Sequence, residues 1–302
     1  MYEAEPFGLY PPTADYIFPG NWAVQLEFFN QAISRHRLTA AALPKKASGR
    51  DCLLAMLHAW AANKDALVMG DKLTNGHARL PQIARVFPEA DFIVIWRDPL
   101  DSCRSVVQAA RQNRFFGRKG ILTETFFGGA RLAEGVLKLR LAGRRVHETV
   151  YPELVQNPEA ELRKICGFVG LEFDERMLDL KGADYSMLPP GKHHERLRSG
   201  VVGESSTRAE VLPAEFLAKG RRYAALWREH YSGLAFARAL PLPPSVVPPA
   251  DWEQWLDQGI YQGWRSLTDL KYQVIRQLPF PVWQRLRREV ADDAQRKFCH
   301  RV

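Results

Sequence analysis

Cysteine is scarce: the chain has four in 302 residues, Cys52, Cys103, Cys166 and Cys299, and none stands in a CxxC pair or at a spacing suited to a metal site. Three of them sit in apolar, helix-like surroundings, so they read as reduced thiols packed as small hydrophobes in a cytosolic protein. No stretch reaches the roughly 18 consecutive apolar residues of a membrane span. The first residues, MYEAEPFGLYPPTADYIF, lack the basic start and apolar core of a secretory signal. The expectation is a cytoplasmic chain without a Golgi-type membrane anchor. Internal repeats are also missing. Acidic residues are outnumbered, 34 against 42 Lys and Arg, for a net charge of +8. Such a field attracts anions, whether a phosphorylated nucleotide, an acidic acceptor, nucleic acid or a membrane surface, and charge alone does not choose among them. The basic residues form no aromatic-interleaved patch, which argues against nucleic acid.

What is present is ordinary globular material, 46% hydrophobic and 25% charged, enough for one large domain with or without an appendage. Residues 1–20 hold only a short strand-like Tyr16-Ile17-Phe18 before Pro19-Gly20. Helical patterns cover 22–34, 51–63 and 79–86, with a short buried strand at 67–69. Phe92-Ile93-Val94-Ile95-Trp96 is an unbroken apolar run, of the kind expected in a parallel sheet covered on both faces. Helical periodicity resumes at Leu100 and lasts, with a break at 117–120, to Gly143. A strand at 145–150 and a helix at 158–169 follow, the latter opened by Asn157-Pro158 as cap and first-turn proline. Strand and helix in alternation predict an α/β fold with a mostly parallel sheet flanked by helices. Residues 181–212 read as loop and 213–230 as helix. The stretch LPLPPSVVPP makes 239–250 a Pro-rich linker between a 1–238 domain and a 251–302 tail. In that tail Trp252, Leu256, Ile260, Trp264, Leu267, Leu270, Val274 and Leu278 recur at helical spacing. Such a helical extension either docks on its own domain or contacts a membrane surface or a protein partner through 251–278.

The chemistry concentrates in FPEADFIVIWRDPLDSCRS, residues 87–105. A buried strand ending in Arg97-Asp98-Pro99 and turning into a helix puts a guanidinium at the carboxyl edge of a parallel sheet, where open α/β folds bind ligands. Arg97 is then placed for two-pronged contact with a phosphate, and Ser105, eight residues on, adds a hydroxyl donor. Spacing alone equally allows Arg97 to pair with Asp98 or Asp101.

This run resembles the 3′-phosphate-binding segment of sulfotransferases that use 3′-phosphoadenosine 5′-phosphosulfate (PAPS), where a strand ends in Arg and a Ser follows eight residues later. Upstream, Gly70-Asp71-Lys72 with His77 resembles the family's lysine-containing segment, though Leu73-Thr74 stands where many bacterial members have x-Pro. Downstream, Tyr151-Pro152-Glu153-Leu154-Val155 with Asn157-Pro158 is similar to its Tyr-Glu-Asp-Leu-Val…Pro segment, and Arg198-Ser199-Gly200-Val201-Val202-Gly203 to its Arg-Lys-Gly-x-x-Gly loop. The resemblance spans roughly 50–232 and implies a P-loop NTPase-like fold. It implies that Arg97, Ser105, Arg198 and the Gly200 amide hold the 3′-phosphate, with Tyr151 near the adenine or simply packed at a strand end. PAPS is the implied cosubstrate, no metal is implied, and the acceptor is a hydroxyl or amine of a small molecule, carbohydrate or lipid.

The chain departs from the family at its start: no Pro-Arg/Lys-Ser-Gly-Thr loop is present to hold the 5′-phosphosulfate. Phe18-Pro19-Gly20-Asn21-Trp22 lacks the basic and hydroxyl residues, and Lys45-Lys46-Ala47-Ser48-Gly49 has suitable residues but no strand before it. Lys72 is then the candidate for neutralising charge on the phosphosulfate, against a solvated lysine beside Asp71. His77 is the nearest candidate base, against an ordinary helix-start histidine; His193 and His194 are loop candidates facing an acceptor. The first reading is a PAPS-dependent sulfotransferase domain, in which a start codon set downstream of the true one would explain the missing loop; its rivals are a non-catalytic relative that binds adenosine 3′,5′-bisphosphate or serves as an interaction module, and a P-loop-type kinase. The last is disfavoured because no Gly-x-x-x-x-Gly-Lys-Ser/Thr occurs.

Overall fold

A computed structural model describes residues 49–64, 68, 70, 80–111, 120–181, 212–241 and 246–276. The chain divides into two compact units, one of residues 1–88, 186–189 and 266–289, the other of 89–185, 190–265 and 290–302. In the first unit, helix α1 (Gly49–Lys64) carries Asp51 in its opening turn, where a carboxylate suits the helix dipole. The neighbouring Arg50 donates from Nε to the Val86 carbonyl at 2.9 Å, at the end of α2 (Leu80–Val86), and lies over the Phe87 ring. Of the strand expected at 67–69 only Val68 is described, and it lies outside regular structure.

The second unit runs β1 (Phe92–Trp96), α3 (Pro99–Ala110), α4 (Ile121–Leu141), β2 (Val146–Val150), α5 (Tyr151–Gln156), α6 (Pro158–Val169), α7 (Ala214–His230) and α8 (Ala235–Ala239). Helix α9 (Asp251–Arg276) begins in this unit. The strands β1 and β2 pair in parallel, from Phe92 opposite Val146 to Trp96 opposite Val150. A parallel pair needs a crossover connection, and α3 with α4 supplies it. The described fold is thus helix-rich with a small parallel sheet, compatible with α/β. The apolar run of β1 predicts cover on both faces, but burial alternates instead: Val94 and Trp96 are buried while Ile95 is 49% exposed. The Trp96 side is the packed one, its ring 4.9 Å from that of Phe236 on α8.

Trp96 is 2% exposed, and a buried indole N–H needs an acceptor. It donates to Glu148 on β2 at 2.6 Å; the same carboxylate oxygen accepts the Ala235 amide at 3.1 Å, and Arg140 on α4 pairs with the other oxygen. One carboxylate therefore joins both strands to α4 and α8. Beneath lies an aromatic cluster in which Phe126 contacts Trp227 at 4.9 Å and Phe127 contacts Tyr223 at 5.2 Å between ring centroids.

Two local expectations change. Asn157 takes the cap position of α6 but its side chain makes no capping hydrogen bond; the helix closes instead on Gly170 at φ 73°, with Leu171 donating to Cys166. In α9 the described residues of the apolar stripe are not on the docked face, since Trp252 is 67% exposed and Leu256, Ile260, Leu267 and Leu270 are exposed with it; the Trp264 and Val274 side chains and Leu278 lie outside the described residues. Docking runs through Glu253, Asp257 and Tyr261, one turn apart. Arg222 on α7 holds both Glu253 oxygens at 2.7 Å, Lys219 and Tyr223 share Asp257, and Tyr261 packs against Phe127. The charges pair across α7 and α9 with partners more than thirty positions away in sequence, which a local period cannot reveal.

Candidate functional site

Arg97 follows the last residue of β1, and Tyr151 follows the last residue of β2. Because Trp96 is opposite Val150, the two leave the carboxyl end of the sheet side by side. The guanidinium carbon of Arg97 lies 5.2 Å from the centroid of the Tyr151 ring, over its face. Tyr151 is the first residue of α5 rather than the end of a strand. The opening of α5 is held by its own contacts, Arg238 on α8 reaching Glu153 at 3.3 Å.

The chain turns from strand to helix here for a local reason. Pro99 cannot continue the β1 ladder and disfavours helical backbone at the residue before it, so Asp98 stays extended at φ −52°, ψ 123° and caps α3. Its carboxylate accepts the Leu100 amide at 3.0 Å, and its carbonyl accepts the Ser102 amide at 2.9 Å. Burial pushes the Asp98 carboxyl up to about 6, outweighing the Leu100 amide that favours the charged form; the nearby Asp101 charge acts in the same direction as burial. Asp101 itself pairs with Arg104 at 2.6 Å. Sequence reasoning weighed Asp98 only as an ion-pair partner of Arg97 and missed its capping role, although an acidic residue before a proline at a helix start was signal enough.

On α3, Leu100, Cys103, Val107 and Ala110 form the buried stripe, and Ser105 lies on the opposite face, half-buried, about 9 Å along the axis from Pro99. Cys103 is fully buried, and desolvation pushes its thiol above the ordinary cysteine range. On the β2 side, the Thr149 hydroxyl donates to buried Glu161 at 2.6 Å, and Lys164 donates to its other oxygen. The Lys164 and Thr149 hydrogen bonds hold the Glu161 carboxyl below its usual range. Burial pushes His147 down.

The structure therefore brings Arg97 and Tyr151 into contact at one sheet edge, with the start of α3 beside them and Ser105 farther along that helix. Of these, the guanidinium and the helix amino end lie together, and such a pair suits a phosphate. Lys72, His77, Arg198 and Gly200, with His193 and His194, lie outside the described residues. The alternative loop at 45–49 ends on the first residue of α1, Gly49, and its other four residues are also outside. Among the described residues no group of His, Cys, Asp and Glu is placed to hold a metal ion, and no helix is long and apolar enough to cross a membrane.

Compared with known proteins, residues 21–175 match the sequence profile of the Sulfotransferase family, just over half of the chain and the part that contains Arg97, Ser105 and Tyr151. No curated protein and no solved structure matches the chain.

Proposed function

Because the chain belongs to the sulfotransferase family, we propose that it transfers a sulfuryl group from PAPS to a hydroxyl or amine acceptor, on a P-loop-like α/β scaffold. The observation that carries this reading is Arg97, set at the carboxyl end of a parallel strand, immediately before a capped helix, inside the family-matched segment. Arg97 would grip the 3′-phosphate through its planar fork, Ser105 would add a hydroxyl, and Arg198 with the Gly200 amide would complete the hold. PAPS supplies an SO₃ unit on an activated leaving group. The chain's residues must bind and orient it, neutralise charge on the bridging oxygen and accept the acceptor's proton. Lys72 and His77 are proposed for the last two tasks from sequence alone.

Calorimetry with adenosine 3′,5′-bisphosphate tests the grip. The wild-type chain is expected to bind, and Arg97→Ala to lose about tenfold or more in affinity, as expected for a charge-assisted contact. Equal binding by the two proteins, or by neither, overturns the assignment. Transfer of labelled sulfate from PAPS to a panel of phenols, sugars and amines then separates an enzyme from a binding-only relative.

A further inference from the structure

Tyr151 was considered above as a neighbour of the adenine base or as a packed aromatic. The geometry points to a third role, which rests on the reading that Arg97 holds the 3′-phosphate: we propose that Tyr151 is a positioning residue that acts through Arg97, setting the guanidinium for a phosphate at the 3′ position and so selecting 3′-phosphorylated nucleotides over 5′-monophosphates.

Three observations support it. The parallel register places the two residues at the same step of adjacent strands, so their separation is set by the sheet rather than by a flexible loop. The guanidinium lies over the ring, 5.2 Å from its centroid, and both residues are half-buried, where a cation–π contact gains from partial loss of water. The backbone that carries the ring opens α5, a helix that the exposed Arg238–Glu153 pair links to α8. An aromatic face also differs from a carboxylate as a support. A carboxylate would occupy the donors of the guanidinium fork and cancel its charge, whereas a ring attracts the cation without taking an acceptor's place. Tyr151 thus orients the cation without itself taking a donor of the fork.

The test compares full-length wild type, Tyr151→Phe, Tyr151→Leu, Arg97→Ala and the Tyr151→Leu/Arg97→Ala double variant by calorimetry with adenosine 3′,5′-bisphosphate and with adenosine 5′-monophosphate. Tyr151→Phe keeps the ring and is expected to match wild type for both. Tyr151→Leu is expected to weaken the bisphosphate about five- to tenfold, the size of a partly desolvated cation–π contact, with the monophosphate unchanged. In the Arg97→Ala background the leucine is expected to add nothing further. Unchanged monophosphate binding also shows that the leucine variant is folded. Should both nucleotides weaken alike in Tyr151→Leu, the residue serves the base or the fold and this inference fails. An additive loss in the double variant also sinks it. A wild type that binds the monophosphate and shows no preference for the bisphosphate overturns the 3′-phosphate reading itself. That outcome is distinct from the first two, in which the bisphosphate still binds preferentially.

Discussion

Asp98 is pulled two ways: the Leu100 amide stabilises its charged form, and burial penalises that form more strongly, leaving the carboxyl at about 6. An unfolded chain releases the same proton near 3.8. Between those values the folded state binds more protons than the unfolded one, so this group's contribution to stability falls as pH rises through that window. Asparagine keeps the oxygen that caps α3 and removes the charge. Asp98→Asn is therefore expected to be more stable than wild type at about pH 7.5 and to lose that advantage by about pH 4, while Asp98→Ala loses about 1 kcal/mol of capping even at low pH. Urea unfolding at both pH values checks this, and a difference that stays constant with pH would show that Asp98 titrates like an exposed carboxylate. The positions of Arg97 after β1 and of Ser105 on the helix that follows were legible from one sequence, because a buried strand followed by Arg-Asp-Pro announces where the strand ends and the helix starts. The contact between Arg97 and Tyr151 was not, because it depends on which residue of β2 stands opposite Trp96, and nothing local to either segment states the register.

Helices α3 and α7 meet where Gly220 faces Leu100. A methyl group on Gly220 would lie 2.5 Å from Leu100 Cδ2 and 3.1 Å from its Cγ. Alanine gains up to about 1 kcal/mol of helix propensity over glycine, and overpacking a closed core costs about 1–3 kcal/mol. Leu100 is buried in the first turn of α3, with little room to retreat. The expected outcome for Gly220→Ala is a net loss of about 1–2 kcal/mol in urea unfolding, with Leu100→Val restoring part of it in the double variant. A gain in stability would instead show that the two helices part easily. Most elements here were visible as periodicity: α3 buries one face, α4 and α6 fall where helical patterns were read, and the β1 run is strand-like throughout. Helix α5 was not visible, because Tyr151-Pro152-Glu153 leaves β2 with no turn residue between them. The docked face of α9 was hidden for a different reason. Its hydrophobic stripe is the stronger local signal, yet the contacts that fix the helix are made by carboxylates answering Arg222 and Lys219.

At the scale of the whole chain, those contacts bear on the division at the Pro-rich 239–250 segment. A chain ending at residue 250 would leave Tyr223, which is buried, without the Asp257 oxygen that accepts its hydroxyl at 2.8 Å, Arg222 without Glu253, and Phe127 without the cover of Tyr261. An unsatisfied buried hydroxyl and an uncovered aromatic together are expected to cost about 2–5 kcal/mol, which a marginally stable protein shows as a much lower melting temperature or as insolubility. Full stability of that shortened chain would establish 239–250 as a true domain boundary. The pairing of Trp96 with Val150 carries one more implication. A slip of one residue turns every side chain of a strand to the other side of the sheet, so Arg97 and Tyr151 can meet only in the native alignment. A collapsed molecule could keep its helices, its size and its circular dichroism with the strands misthreaded, and still hold no nucleotide. If the proposed reading holds, binding of adenosine 3′,5′-bisphosphate is therefore a checksum on the folding of this chain: it counts the molecules whose two strands found the right partner step.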